Sequence, residues 1–157
     1  AEDLLDLAAE RIGPKMEAHP DLRGPLLVLI ASAYSNLGAM NRAVHAFQAA
    51  IADLRGHDAA SLELATALQR GAWAAQRNGD RVLALAWIDE AERLVAGGGP
   101  ETLPLSDGLA EVRWLTAREA SAHEEALAHA EAALAALEAA PPTLRDAMLS
   151  RAWHRIG

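Results

Sequence analysis

Three stretches of the chain run through a helix-length segment and end on glycine: IASAYSNLG (30–38), RGAWAAQRNG (70–79) and LSRAWHRIG (149–157). The first and last nearly superimpose. A second pattern recurs at the same interval, a small residue followed by a bulkier one four positions on and a small one three further. It reads Ala43, Phe47, Ala50, then Ala84, Ile88, Ala91, and more loosely Ala126, Ala130, Ala133. The first alanines of these sets lie 41 and 42 residues apart. A chain with this self-similarity is built from units of two helices, each burying its apolar face against the next.

Sequence breakers mark out the helices. Gly13-Pro14, His19-Pro20, Gly24-Pro25, Gly38, Arg55-Gly56-His57-Asp58, Asn78-Gly79-Asp80, the GGGP run at 97–100 and Pro141-Pro142 are stop signals. Between them apolar residues recur at three and four, and no useful length alternates with period two. The expectation is an all-α chain of about eight helices, near 2–18, 21–37, 41–54, 58–77, 80–95, 104–120, 122–139 and 142–156. Hydrophobic residues make up 52% of the chain and aromatic ones only 4%, so the apolar content is largely Ala and Leu, strong helix formers. Asp58 and Asp80 suit N-caps, and Gly38 and Gly79 suit the left-handed residue past a helix end. Connections this short call for antiparallel pairs. Close crossing then needs small residues at the contact, with Ala43 and Ala50 as holes and Tyr34 and Phe47 as knobs.

Composition excludes several classes. With 157 residues the chain is one domain's worth and has no cysteine, so disulfides, thiol catalysis and cysteine-ligated metals are out. The net charge of -8 opposes phosphate, and no nucleic-acid partner is expected. The apolar run LLVLIASAY is too short to span a bilayer, so no membrane partner is expected either. The absence of cysteine fits a reducing, cytoplasmic setting, and the amino terminus, AEDLLDLAAE, lacks an initiator Met and the basic flank of a signal peptide, as a fragment of something longer would.

The residues at these positions resemble the tetratricopeptide repeat. Leu27, Ile30, Ala31, Tyr34, Gly38, Ala43, Phe47 and Ala50 fall on its pattern in register. The second unit matches with Leu68, Ala72, Gly79, Ala84, Ile88 and Ala91, with Gly71 and Ala75 in place of the usual Leu and aromatic; the third keeps Ala126, Ala133 and Leu134. Arg55 stands where the first unit usually has proline. The period is longer than the family's common one and is similar to that of kinesin-light-chain-like and bacterial signalling proteins. The leader LLDLAAERI and HPDLRGPLL resemble the lead-in to repeat regions of bacterial serine/threonine kinases and multidomain transcriptional regulators. The resemblance implies an α-solenoid, a right-handed superhelix of antiparallel pairs in one domain over 1–157. Its parts would be an orphan leading helix (1–20), units at 22–55, 58–96 and 103–140, and a terminal helix (142–157) opening an incomplete fourth.

In such a stack the first helix of each pair lines a concave peptide-binding face. Carried over by position, that face holds Val28, Ser32, Ser35 and Asn36; Gln69, Arg70, Trp73, Gln76 and Arg77; Glu111, Leu115, Arg118 and Glu119; and Arg151, His154 and Arg155. Arginine predominates toward the carboxyl end, so the expected partner is a protein or peptide segment with acidic residues, anchored on Trp73. Trp114 and Trp153 are expected in the core, and Trp87 is expected to pack toward a neighbouring repeat. Val28 and Ser32 replace the Lys and Asn of the family's chaperone-tail clamp, so that ligand is not expected.

No enzyme is indicated. His123 and His129 are six apart and fall on different helix faces, unlike a zinc pair four apart. AGGGPETLP lacks the Gly-Lys-Ser/Thr ending of a phosphate loop. Neither cofactor nor metal is implied. The expected function is a non-catalytic scaffold. Two alternatives stand beside it: self-association, with Leu149, Trp153 and Ile156 of the terminal helix pairing with a second copy or closing on the third unit, and small-molecule sensing in the concave channel.

Overall fold

The computed structural model describes residues 4–8, 11, 19–56, 61–119, 123–138 and 148–149. Six α-helices are bounded within it: α1 Pro20–Asn36, α2 Met40–Gly56, α3 Ser61–Arg77, α4 Arg81–Val95, α5 Leu103–Glu119 and α6 His123–Glu138, with a 3-10 turn at Pro100–Thr102 ahead of α5. Residues 4–8 are also helical, and no described residue is in a strand. The chain is therefore all-α. No helix among the described residues is long and apolar enough to cross a membrane.

Local chemistry sets the helix ends. Proline opens α1, where its missing N–H has no helical partner to lose. The helices α1 and α3 end in the same way. Gly38 and Gly79 take φ of 79° and 83°, the left-handed region that glycine enters without a Cβ clash. The chain can then turn back so that Ala39 N–H donates to the Tyr34 carbonyl at 3.0 Å and Asp80 N–H to the Ala75 carbonyl at 2.9 Å. Asp80 also caps α4, its Oδ1 accepting from Leu83 N–H at 3.1 Å. Asp80→Ala should lower the unfolding free energy by about 1 kcal/mol in a denaturant titration, while Asp80→Asn should retain most of it. The other expected cap, Asp58, lies outside the described residues.

Packing follows the small-residue pattern. Successive helices α1 to α4 pack each on the next, α5 packs on α6, and α5 also lies against α3 and α4. Ala43, Ala50, Ala84 and Ala91 are fully buried, and Tyr34 and Phe47 are buried with them. Their core continues through Leu68, Ala72 and Ile88 to Leu109 and Val112 of α5.

The Trp87 ring lies over Gly71 of α3, the helix just before its own: a Cβ at Gly71 would sit 2.9 Å from Trp87 Cζ3 and 3.3 Å from Phe47 Cβ. Gly71 leaves room for a large aromatic from α4, which fills the volume a side chain would take. Loss of bulk on α3 matches gain of bulk on α4.

The described part of the leading segment packs on the rest of the molecule. Leu5 and Ala8 pack on the core, Asp6 accepts a hydrogen bond from the Tyr34 hydroxyl, and Arg42 Nη1 lies 3.1 Å from Asp6 Oδ2. At the other end Met148 and Leu149 pack on Leu134 and Leu137 of α6 in a separate small cluster. Trp153 and Ile156 lie outside the described residues.

Candidate functional site

Along α1, residues three and four apart share a face, and Ser32, Ser35 and Asn36 form one such group. On α3, Gln69, Arg70 and Trp73 form another. The structure brings the two groups together around a cavity of about 370 Å³ with Phe47 of α2 also in its wall. Five residues expected to bind a partner thus meet in one place: Ser32, Asn36, Gln69, Arg70 and Trp73. The Ser32 hydroxyl donates to the Val28 carbonyl at 2.8 Å, satisfied within its own helix. Ser35 Oγ is shielded from solvent and has no hydrogen-bond partner among the described residues. A buried hydroxyl left without a partner is unfavourable by about 1–3 kcal/mol, so a polar group entering the cavity would find a ready contact there.

Trp73 is half-buried and packs on the core. The Arg77 guanidinium lies 4.9 Å from its ring centroid, a cation–π arrangement. On α5 the same arrangement recurs, Arg118 lying 4.5 Å from the Trp114 centroid. The two Trp-x-x-x-Arg pairs are 41 residues apart, the spacing of Ala43 and Ala84. Trp114, expected in the core, is half-buried with the Arg118 guanidinium over its ring. Stacking holds each guanidinium in place with its edge donors available.

Other expected residues separate from this group. Gln76 is buried, 7% exposed, and does not line the cavity. It follows Ala65, Leu68 and Ala72 at helical spacing, so the apolar stripe of α3 carries it inward. Glu111 is half-buried on α5. Arg151, His154 and Arg155 lie outside the described residues, as does the Glu119 side chain.

A second cavity, missed by the sequence reading, lies beside the first between the N-terminal halves of α1 and α3. It encloses about 530 Å³ and is lined by Pro25, Val28, Leu29, Leu62, Glu63, Thr66 and Ala67. Leu29 is 61% exposed and Leu62 42%, so two leucines stand in solvent at its rim. A third, of about 140 Å³, lies between α5 and α6 and is lined by Ser106, Asp107 and His129 among others. The Ser106 hydroxyl there donates to the Thr102 carbonyl at 3.1 Å, a bond of the helix itself. Among the described residues no group of three His, Cys, Asp or Glu side chains could hold a metal.

The arginines divide by location. Arg23 pairs with Asp53 at 3.4 Å, and Arg55, standing where the repeat pattern has proline, reaches from α2 to Glu90 of α4. Arg113 of α5 has a side chain only 11% exposed and joins α4 through Asp89 and both oxygens of Glu92. Burial works to lower its pKa, but the hydrogen bonds and charges of Glu92 and Asp89 outweigh this and hold it above the ordinary arginine value. Arg70, Arg77 and Arg118 make no ion pair with any described residue. Three guanidinium groups on α3 and α5 thus remain without a carboxylate among the described residues.

Compared with known proteins, the chain matches no family model, and no curated protein matches it.

Proposed function

We propose that this chain is a non-catalytic interaction scaffold whose α1, α3 and α5 take up a protein or peptide segment bearing acidic residues. In this reading α1–α2, α3–α4 and α5–α6 are antiparallel pairs stacked as a tetratricopeptide-like α-solenoid. Two features support the stack: a repeat near 42 residues, and α3 packing on both the pair before it and the pair after it. The scaffold would belong to a cytoplasmic signalling or regulatory protein. The observation that carries the binding role is the cavity between α1 and α3, where neither Arg70 has a carboxylate nor Ser35 Oγ a hydrogen-bond partner among the described residues. Charge-assisted hydrogen bonds to such groups are among the stronger polar contacts available to a partner.

The test is selection of displayed peptides on the purified chain, repeated on an Arg70→Glu, Arg77→Glu, Arg118→Glu variant whose helicity is checked by circular dichroism. Acidic sequences should be enriched on the parent and bind the variant at least about tenfold more weakly, the factor equivalent to 1.4 kcal/mol. All three arginines are exposed, so the variant should still fold. No enrichment, or equal binding by both proteins, would refute the scaffold reading.

A further inference from the structure

Resting on that reading, we infer that the partner segment is an amphipathic α-helix, seated lengthwise between α1 and α3, with its apolar end in the larger cavity and its acidic end on Arg70 and Arg77. Two cavities share one pair of walls. Pro25, Val28 and Leu29 face Leu62, Thr66 and Ala67 around the apolar one; one to two turns further along each helix, Ser32, Ser35 and Asn36 face Gln69, Arg70 and Trp73 around the polar one. With α1 and α3 read as like-directed neighbours, these form one trough that changes character along its length. From Leu62 to Arg70 the helix rises about 12 Å, and from Leu62 to Arg77 about 22 Å. A straight trough of that length, walled by residues three and four apart, fits a helix better than a chain crossing from unit to unit.

Polarity fixes the partner's pattern. Leu29 and Leu62 stand exposed at the rim of the apolar cavity, and aliphatic side chains from a partner would remove both from water. At the other end Arg70, which has no ion pair among the described residues, and the Arg77 guanidinium stacked on Trp73 favour carboxylates over any other common side chain. The partner helix therefore carries leucine-like residues three and four apart, and acidic residues on the same face about eight positions, or 12 Å, away.

A fluorescein-labelled synthetic peptide of that pattern, titrated against the chain by fluorescence anisotropy, tests this directly. Leu29→Ser with Leu62→Ser should weaken binding at least about tenfold, since exposed leucines can be exchanged without unfolding the protein. Arg70→Glu should weaken it similarly, and a peptide with proline at its centre should lose most of its affinity. The inference falls if the proline peptide binds as well as the helical one. It falls equally if the leucine variants bind unchanged while Arg77→Glu with Arg118→Glu does not, a result that would leave the scaffold reading intact with an extended partner. Failure of the helical peptide to bind at all would overturn the inference, while the library selection separately decides the scaffold reading.

Discussion

Trp87→Ala should lower the unfolding free energy by about 3–5 kcal/mol, the range for removing a buried aromatic side chain. In a domain of this size each kcal/mol moves the midpoint about 2–4 °C, so a loss of roughly 6–20 °C is expected in a thermal melt. The reason is the fit between one large ring and one absent side chain. Trp87 covers Gly71, and a Cβ there would approach Cζ3 to 2.9 Å. Gly71→Ala alone should therefore destabilise despite the roughly 1 kcal/mol gained from helix propensity, because neither the ring nor Phe47 can give way cheaply. In the Trp87→Ala background the same Gly71→Ala change should cost less or become stabilising. A double-mutant cycle should return a coupling of about 1 kcal/mol or more; additive effects would mean the ring does not fill that space.

Phe47→Ala should also cost about 3–5 kcal/mol, and for a second reason affect binding. The side chain is 1% exposed, packs between α1 and α3, and contributes to the wall of the polar cavity. Truncating it opens a void under the site as well as in the core. Phe47→Leu, which keeps most of the volume, should cost well under half as much in the same denaturant titration. A Phe47→Ala protein as stable as the parent would show that the core does not depend on the knob set between Ala43 and Ala50.

These pairings explain what the sequence could and could not disclose. Gly38 and Gly79 were legible because a left-handed residue past a helix end is a local requirement, and both have positive φ. The Ala43–Phe47–Ala50 pattern was legible because helical spacing alone puts those side chains on one face, and all three are buried. Trp87 on Gly71 was not, since it depends on how α4 crosses α3. The same holds for Arg113, whose carboxylates at 89 and 92 come within reach only when α5 lies across α4.

Within the site, Ser32, Asn36, Gln69, Arg70 and Trp73 could be placed from register and do converge. Gln76 could not, because assignment to a face by spacing blurs near the edge of an apolar stripe, and one step toward Ala72 and Ala75 buries it. The paired Trp-x-x-x-Arg motif stands in the sequence 41 residues apart, but spacing four apart alone does not show that each guanidinium lies over its ring. The apolar cavity had no signal of its own, as Pro25 and Leu29 look like ordinary members of an apolar run until α3 is beside them.

The most direct measurement is a ¹⁵N-correlation NMR titration of the chain with the best acidic peptide from the selection. Binding in the trough predicts the largest amide shifts at Ser32, Ser35 and Asn36 on α1 and at Gln69, Arg70 and Trp73 on α3, with little change along α4 at Glu90 and Arg93. Shifts gathered on α4 or α6, with those six amides unmoved, would contradict the account.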